Sequence, residues 1–85
     1  MGLTTWLKER RLERTHRKLK HLRALQARVR EQEAEVHELK KRSAPSTELD
    51  AKERKLHEER ERLTHQIREL EGAEKQLKAE LKTTA

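Results

Sequence analysis

The chain has 85 residues, 45% of them charged, a net charge of +6, one aromatic residue and no cysteine. That is one small domain, too poor in large apolar side chains to enclose a thick core, with neither disulfides nor a thiolate metal site. No apolar run approaches the ~18 residues of a membrane-spanning helix, and no signal-peptide core of about 7–15 apolar residues is seen.

High charge with low hydrophobicity is also the signature of disorder. Here the abundant residues (Leu, Glu, Lys, Arg, Ala, Gln) are good helix formers, with one proline and two glycines in the chain. The apolar residues are also periodic, and the expected fold is all-α.

Leu3, Trp6 and Leu7 open the chain as an apolar cluster, with Thr4 or Thr5 as the expected helix cap. The first helix is expected over about 5–42. Its apolar residues recur in steps of three and four: Leu12, Thr15, Leu19, Leu22, Leu25, Val29, Gln32, Val36, Leu39. Two successive steps of three, Leu19 to Leu22 to Leu25, form a stammer expected to overwind the coil locally. Lys40, Lys41 and Arg42 come next, where cations favour a helix C-terminus.

The break comes at 43–47, Ser-Ala-Pro-Ser-Thr. Pro45 cannot sit inside a helix and disfavours helix at Ala44. Ser46 or Thr47 can cap a second helix, and Thr47-Glu48-Leu49-Asp50 resembles a capping box with Asp in place of Glu. Five residues is an ordinary αα-hairpin connection.

The second helix is expected over about 48–82, roughly 50 Å long. Leu49, Leu56, Leu63, Leu70 and Leu77 recur every seven residues, which assigns them to heptad position d and Glu53, Arg60, Ile67, Glu74 and Leu81 to a. In a parallel homodimer Glu53, Arg60 and Glu74 would each face their own copy, so a zipper of this helix with itself is disfavoured. Folding back on the first helix matches the two seams when partners sum to about 89: Leu12 with Leu77, Leu19 with Leu70, Leu22 with Ile67, Leu39 near Leu49, Leu7 near Leu81, and Thr15 opposite Glu74. The expected architecture is therefore one antiparallel coiled-coil hairpin, able to self-associate into a helical bundle. Arg60 and Glu53 at inner positions are expected to snorkel to water, or else to set the register or face further helices.

Residues 1–30 hold ten Lys and Arg against two acids. Beside them the C-terminal half of the second helix is balanced, so a basic stripe is left at one end of the rod. Trp6, Arg10, Arg11, Arg14, Arg17, Lys18 and Arg23 are the candidate contact residues for a polyanion or a protein. Trp6 has three readings: a cap on the open end near Leu81, an anchor in a partner's pocket, or a membrane-surface contact with Leu3 and Leu7. A basic segment ahead of a leucine repeat is the arrangement of bZIP proteins. Their Asn-x-x-Ala/Ser-Ala pattern is missing, however, and Pro45 interrupts the helix, which excludes that family.

Three of the five histidines pair at i,i+4 with a preceding acid, Glu33 (His37), Glu53 (His57) and Glu61 (His65), ordinary surface links. One Glu-x-x-His, Glu13/His16, falls short of a di-iron set. No nucleophile triad or phosphate loop appears, so neither catalysis, metal nor cofactor is expected. The expected function is that of a cytoplasmic structural or adaptor coiled coil docking on a larger protein assembly. The alternatives are a nucleic-acid backbone binder and a peripheral binder of anionic membranes.

Overall fold

A computed structural model describes residues 2–83. It contains two helices, α1 (Leu3–Arg42) and α2 (Thr47–Thr83), and no strand among the described residues. The molecule measures 65 × 15 × 14 Å. A 40-residue helix is about 60 Å long, so the long axis is one helix length and the chain doubles back once. Ion pairs at both ends give the direction: Lys8 with Glu80 at the open end, and Lys40 with Asp50 beside the loop. The fold is an antiparallel all-α hairpin.

The α1 start differs from expectation, whereas α2 takes Ser46, one of its two expected caps, without the capping box. α1 begins at Leu3 with Gly2 as its N-cap and no side-chain cap. Thr4 and Thr5 lie inside the first turn, where the Thr5 N–H donates to the Gly2 carbonyl at 3.2 Å. α2 is capped by Ser46: its Oγ accepts from the Leu49 N–H at 3.4 Å and its carbonyl from the Asp50 N–H at 3.2 Å. Thr47 is thus the first helical residue, and no reciprocal Thr47–Asp50 box forms. Glu48 and Asp50 place negative charge in the first turn of α2, and Lys40, Lys41 and Arg42 place positive charge in the last turn of α1. Both suit the helix dipole.

The α1 seam is more regular than expected. Thr5, Leu12, Leu19, Gln26, Glu33 and Lys40 form one row, and Lys8, Thr15, Leu22, Val29 and Val36 the other. All are buried or half-buried, and every other described α1 residue except Leu25 is exposed. The rows advance by strict fours and threes, so the stammer does not occur. Leu25 sits on the flank of the seam, packed against the core cluster. Gln32 is exposed and Glu33 takes its place. Leu39 is 48% exposed, and Lys40 takes its place. The physical reason is that each polar substitute has a partner across the hairpin. Gln26 Nε2 donates to Thr64 Oγ1 at 3.2 Å, Glu33 lies 3.4 Å from Arg60, and Lys40 lies 2.8 Å from Asp50 and 3.3 Å from Glu53. An unbroken seven-residue repeat avoids local overwinding, and the long side chains cover neighbouring leucines with their methylenes. Gln26–Thr64 and Lys40–Asp50 agree with the sum near 89 to within a residue, whereas Glu33–Arg60 and Lys40–Glu53 lie four residues, about one turn, away from it.

The core cluster of Val29, Val36, Leu56 and Leu63, with Leu22, Leu25 and Leu49 against it, runs from the loop to the middle of the rod. Toward the open end Leu19 and Ile67 are buried, while Leu12, Leu70, Leu77 and Leu81 are half-buried. The open end, beyond Leu19 and Ile67, is therefore the more thinly covered.

The Lys40 cluster gives the loop end a pH dependence. Hydrogen bonds to Asp50 and then Glu53 hold the Lys40 ammonium above the usual lysine value of 10.5. A raised value means that its stabilising contribution is complete below 10.5 and fades as pH rises through the folded-state value. Thermal melts of wild type and Lys40→Met should differ by a constant amount at neutral pH and converge above 10.5. A difference that stays constant into strong alkali would show that the ammonium charge plays no part.

Candidate functional site

The net charge is confined to one half of the rod. Residues 2–23 and 63–83, which form the open half, hold twelve Lys and Arg against six acids; residues 24–62, the loop half, hold ten of each. The whole +6 therefore lies in the open half.

The two flanks of the open half differ. On one, the helices are bridged by His16–Glu74 at 3.0 Å and Arg23–Glu71 at 3.6 Å. On the other, a solvent-open groove of ≈ 720 Å³ runs between them. Its α1 wall carries Arg11, Arg14, Arg17, Lys18 and His21, and Thr15 lies within it. Its α2 side is Leu70, Ala73, Gln76 and Leu77. Glu80 also lines it, 3.8 Å from Lys8. The groove exists because Ala73 is small where a long side chain could have reached across. Thr15 adds little height, since its hydroxyl turns back to the Arg11 carbonyl at 2.8 Å.

Arg11, Arg14, Arg17 and Lys18 of the candidate set gather at this groove, and all four are exposed without an ion pair among the described residues. Arg23 is on the opposite flank and paired with Glu71, which removes it from the site. Arg10 stands beside the groove cations on the exposed face, its guanidinium 5.2 Å from the Trp6 ring centroid, a cation–π arrangement. Trp6 is 51% exposed and neighboured by exposed Leu3 and Leu7. It does not cap the hairpin, because Thr5 and Lys8 take the inward positions at that level and turn Trp6 outward.

His21 and the α2 residues Leu70, Ala73 and Leu77 join the site without having been expected there. His21 stands seven residues after Arg14 and so shares its face, a signal present in the sequence. Ala73 carries no local signal: its meaning depends on Lys18 and Thr15 lying across from it.

The histidines converge on nothing. His57 pairs with Glu61 at 4.0 Å and His65 with Glu69 at 3.0 Å, each toward the following acid rather than the preceding one. His57 Nδ1 also lies 2.8 Å from Arg60. Among the described residues no group of three or more His, Asp or Glu could hold a metal ion. Nor, among those residues, is any helix long and apolar enough to cross a membrane. No protein-family model, curated protein or solved structure matches the chain.

Proposed function

We propose that this chain is a non-enzymatic adaptor: a two-helix rod whose loop half is scaffold and whose basic open half docks on a protein of a larger assembly. The observation that carries this reading is the composition of the groove. Four exposed cations border a floor that contains Leu70, Ala73 and Leu77. A surface meant for phosphates alone has no need of that floor, whereas a protein partner can cover it and gain from burying it.

The test uses the full chain, tagged, to capture partners from its native source. Arg11→Glu with Lys18→Glu should lower capture of a specific protein at least ten-fold. Lys52→Glu with Arg54→Glu, in the loop half, should leave it unchanged, and nuclease treatment should have no effect. Equal capture by both double variants would refute docking through the basic half.

One observation favours a nucleic-acid partner instead: Arg10, Arg14 and Arg17 form an exposed row at helical spacing with no acid paired to them among the described residues. Each neutralised phosphate steepens the dependence of binding on salt. Titration with RNA and DNA at two salt concentrations separates the readings, since tight binding with a steep slope would support this one. The exposed Leu3, Trp6 and Leu7 likewise suit the surface of an anionic membrane; sedimentation with anionic vesicles, wild type against Trp6→Ala, decides that case.

A further inference from the structure

We infer that the open groove receives an amphipathic, acidic α-helix of the partner, which lies along it as a third helix. The inference rests on the docking reading and names the chemistry of what docks.

The α1 side of the groove is one continuous stripe. Leu7, Arg11, Arg14, Lys18, His21 and Leu25 succeed each other in steps of four and three, so they stack along one face of the helix over about 27 Å. Cations fill the middle of the stripe and a leucine stands at each end. Leu7 is exposed and Leu25 half-buried, so both have surface left to cover. Across from the cations, Leu70 and Leu77 are half-buried and separated by Ala73.

A helix seated between two others sits about 8–10 Å from each axis. Seated here, its apolar stripe would cover Leu70, Ala73 and Leu77. Carboxylates beside that stripe would meet Arg11, Arg14 and Lys18, which line the groove and are exposed; long cationic side chains can cover apolar surface with their methylenes and keep the charge in water. About five turns of helix match the distance from Leu7 to Leu25.

Other occupants fit less well. A second copy of the chain would bring the same uncompensated cations to the same half. Nucleic acid would lay phosphates over leucines and would find no Phe, Tyr or Trp in the groove to stack its bases on, only the single imidazole of His21. A membrane surface meets the outer crest of a helix and not the recess between two.

The probe is a fluorescent 18-residue peptide with leucines at i, i+3, i+4 and i+7 spacing and glutamates flanking that stripe. Its control has the same composition permuted to leave no apolar face. The full-length chain should bind the first at least ten-fold more tightly than the second. Ala73→Trp, which fills the groove at an exposed position, and Lys18→Glu should each weaken binding at least ten-fold. Ala34→Trp, at an exposed site in the loop half, should not. Circular dichroism melts verify that each variant folds; should Ala73→Trp unfold, Lys18→Glu and the permuted peptide still decide. Equal binding of the two peptides would reduce the effect to bare charge attraction and overturn the inference. Full binding by a folded Ala73→Trp would place the peptide elsewhere and do the same. If the peptides fail while capture of a native protein remains sensitive to Arg11 and Lys18, the docking surface stands and its occupant is not a helix of this kind.

Discussion

Leu19→Ala should destabilise the hairpin by about 2–5 kcal/mol, the range for emptying a buried leucine site, while Leu39→Ala should change stability by less than about 0.5 kcal/mol. Leu19 is 1% exposed, and Leu39 is 48% exposed. Both are leucines of α1 at helical spacing from their apolar neighbours, so composition and propensity treat them alike. What separates them is the phase of the seam. Leu19 belongs to the row that ends in Lys40, whereas Leu39 lies one residue off it. A rod this thin has few neighbours that can close around the cavity left at position 19, which argues for the upper part of the range. Urea unfolding monitored by far-ultraviolet circular dichroism measures both variants. Comparable losses would place Leu39 in the seam and restore the stammer; a negligible loss at Leu19 would dissolve the hairpin core.

The same pair shows what the sequence could and could not disclose. In α2 the leucines repeat every seven residues without a gap, and Pro45 leaves one place for the chain to turn, so helix count, direction and approximate register can be read from the residues themselves. In the first half of α1, Leu12, Thr15, Leu19 and Leu22 are likewise correctly phased. Beyond Leu22, Val29 and Val36 keep that phase, but Leu25 and Leu39 mislead. Leu25 and Leu39 are the greasy choices, yet Gln26 and Lys40 hold the inner positions. A hydrophobicity pattern assigns the inside to whichever neighbour is more apolar; it cannot weigh the cross-helix partners Thr64, Arg60, Asp50 and Glu53, which become visible once α2 is laid alongside. The site divides along the same line. Its cations are evident from charge density in residues 1–30. The exclusion of Arg23 requires its partner Glu71, and the groove requires Ala73, whose importance is the side chain it lacks.

Replacing Gln26, Glu33 and Lys40 together with leucine should raise stability by about 2–5 kcal/mol, roughly half of what full burial of three leucines would contribute, and should at the same time loosen the single register of the hairpin. The two effects have one cause. These three positions are consecutive members of one seam row, and each places a polar group in a thin, partly dry interface. The Glu33 layer is the least favourable: Oε2 faces Arg60 at 3.4 Å, while Oε1 is buried with no hydrogen-bond partner. The ion pairs lost with Glu33 and Lys40 are partly exposed and worth little each, and the partners left behind, Arg60, Asp50 and Glu53, keep enough contact with water to stay solvated, so the added apolar burial outweighs them. The polar layers supply discrimination. Sliding α2 by one heptad would separate Glu33 from Arg60 and Lys40 from Asp50 and Glu53, and pairing α2 with its own copy in parallel would set like charges together. With leucine at all three places α1 presents an almost unbroken apolar row that accepts shifted, parallel and multi-chain partners alike. Spin labels at Glu9 and Lys78, both exposed, should give one narrow distance in the wild-type background and a broad or concentration-dependent distribution in the triple variant, with sedimentation showing larger species. If the triple variant gains stability yet keeps the narrow distance and the association state of the wild type, the leucines alone set the register, and the charged layers must be retained for some purpose other than alignment.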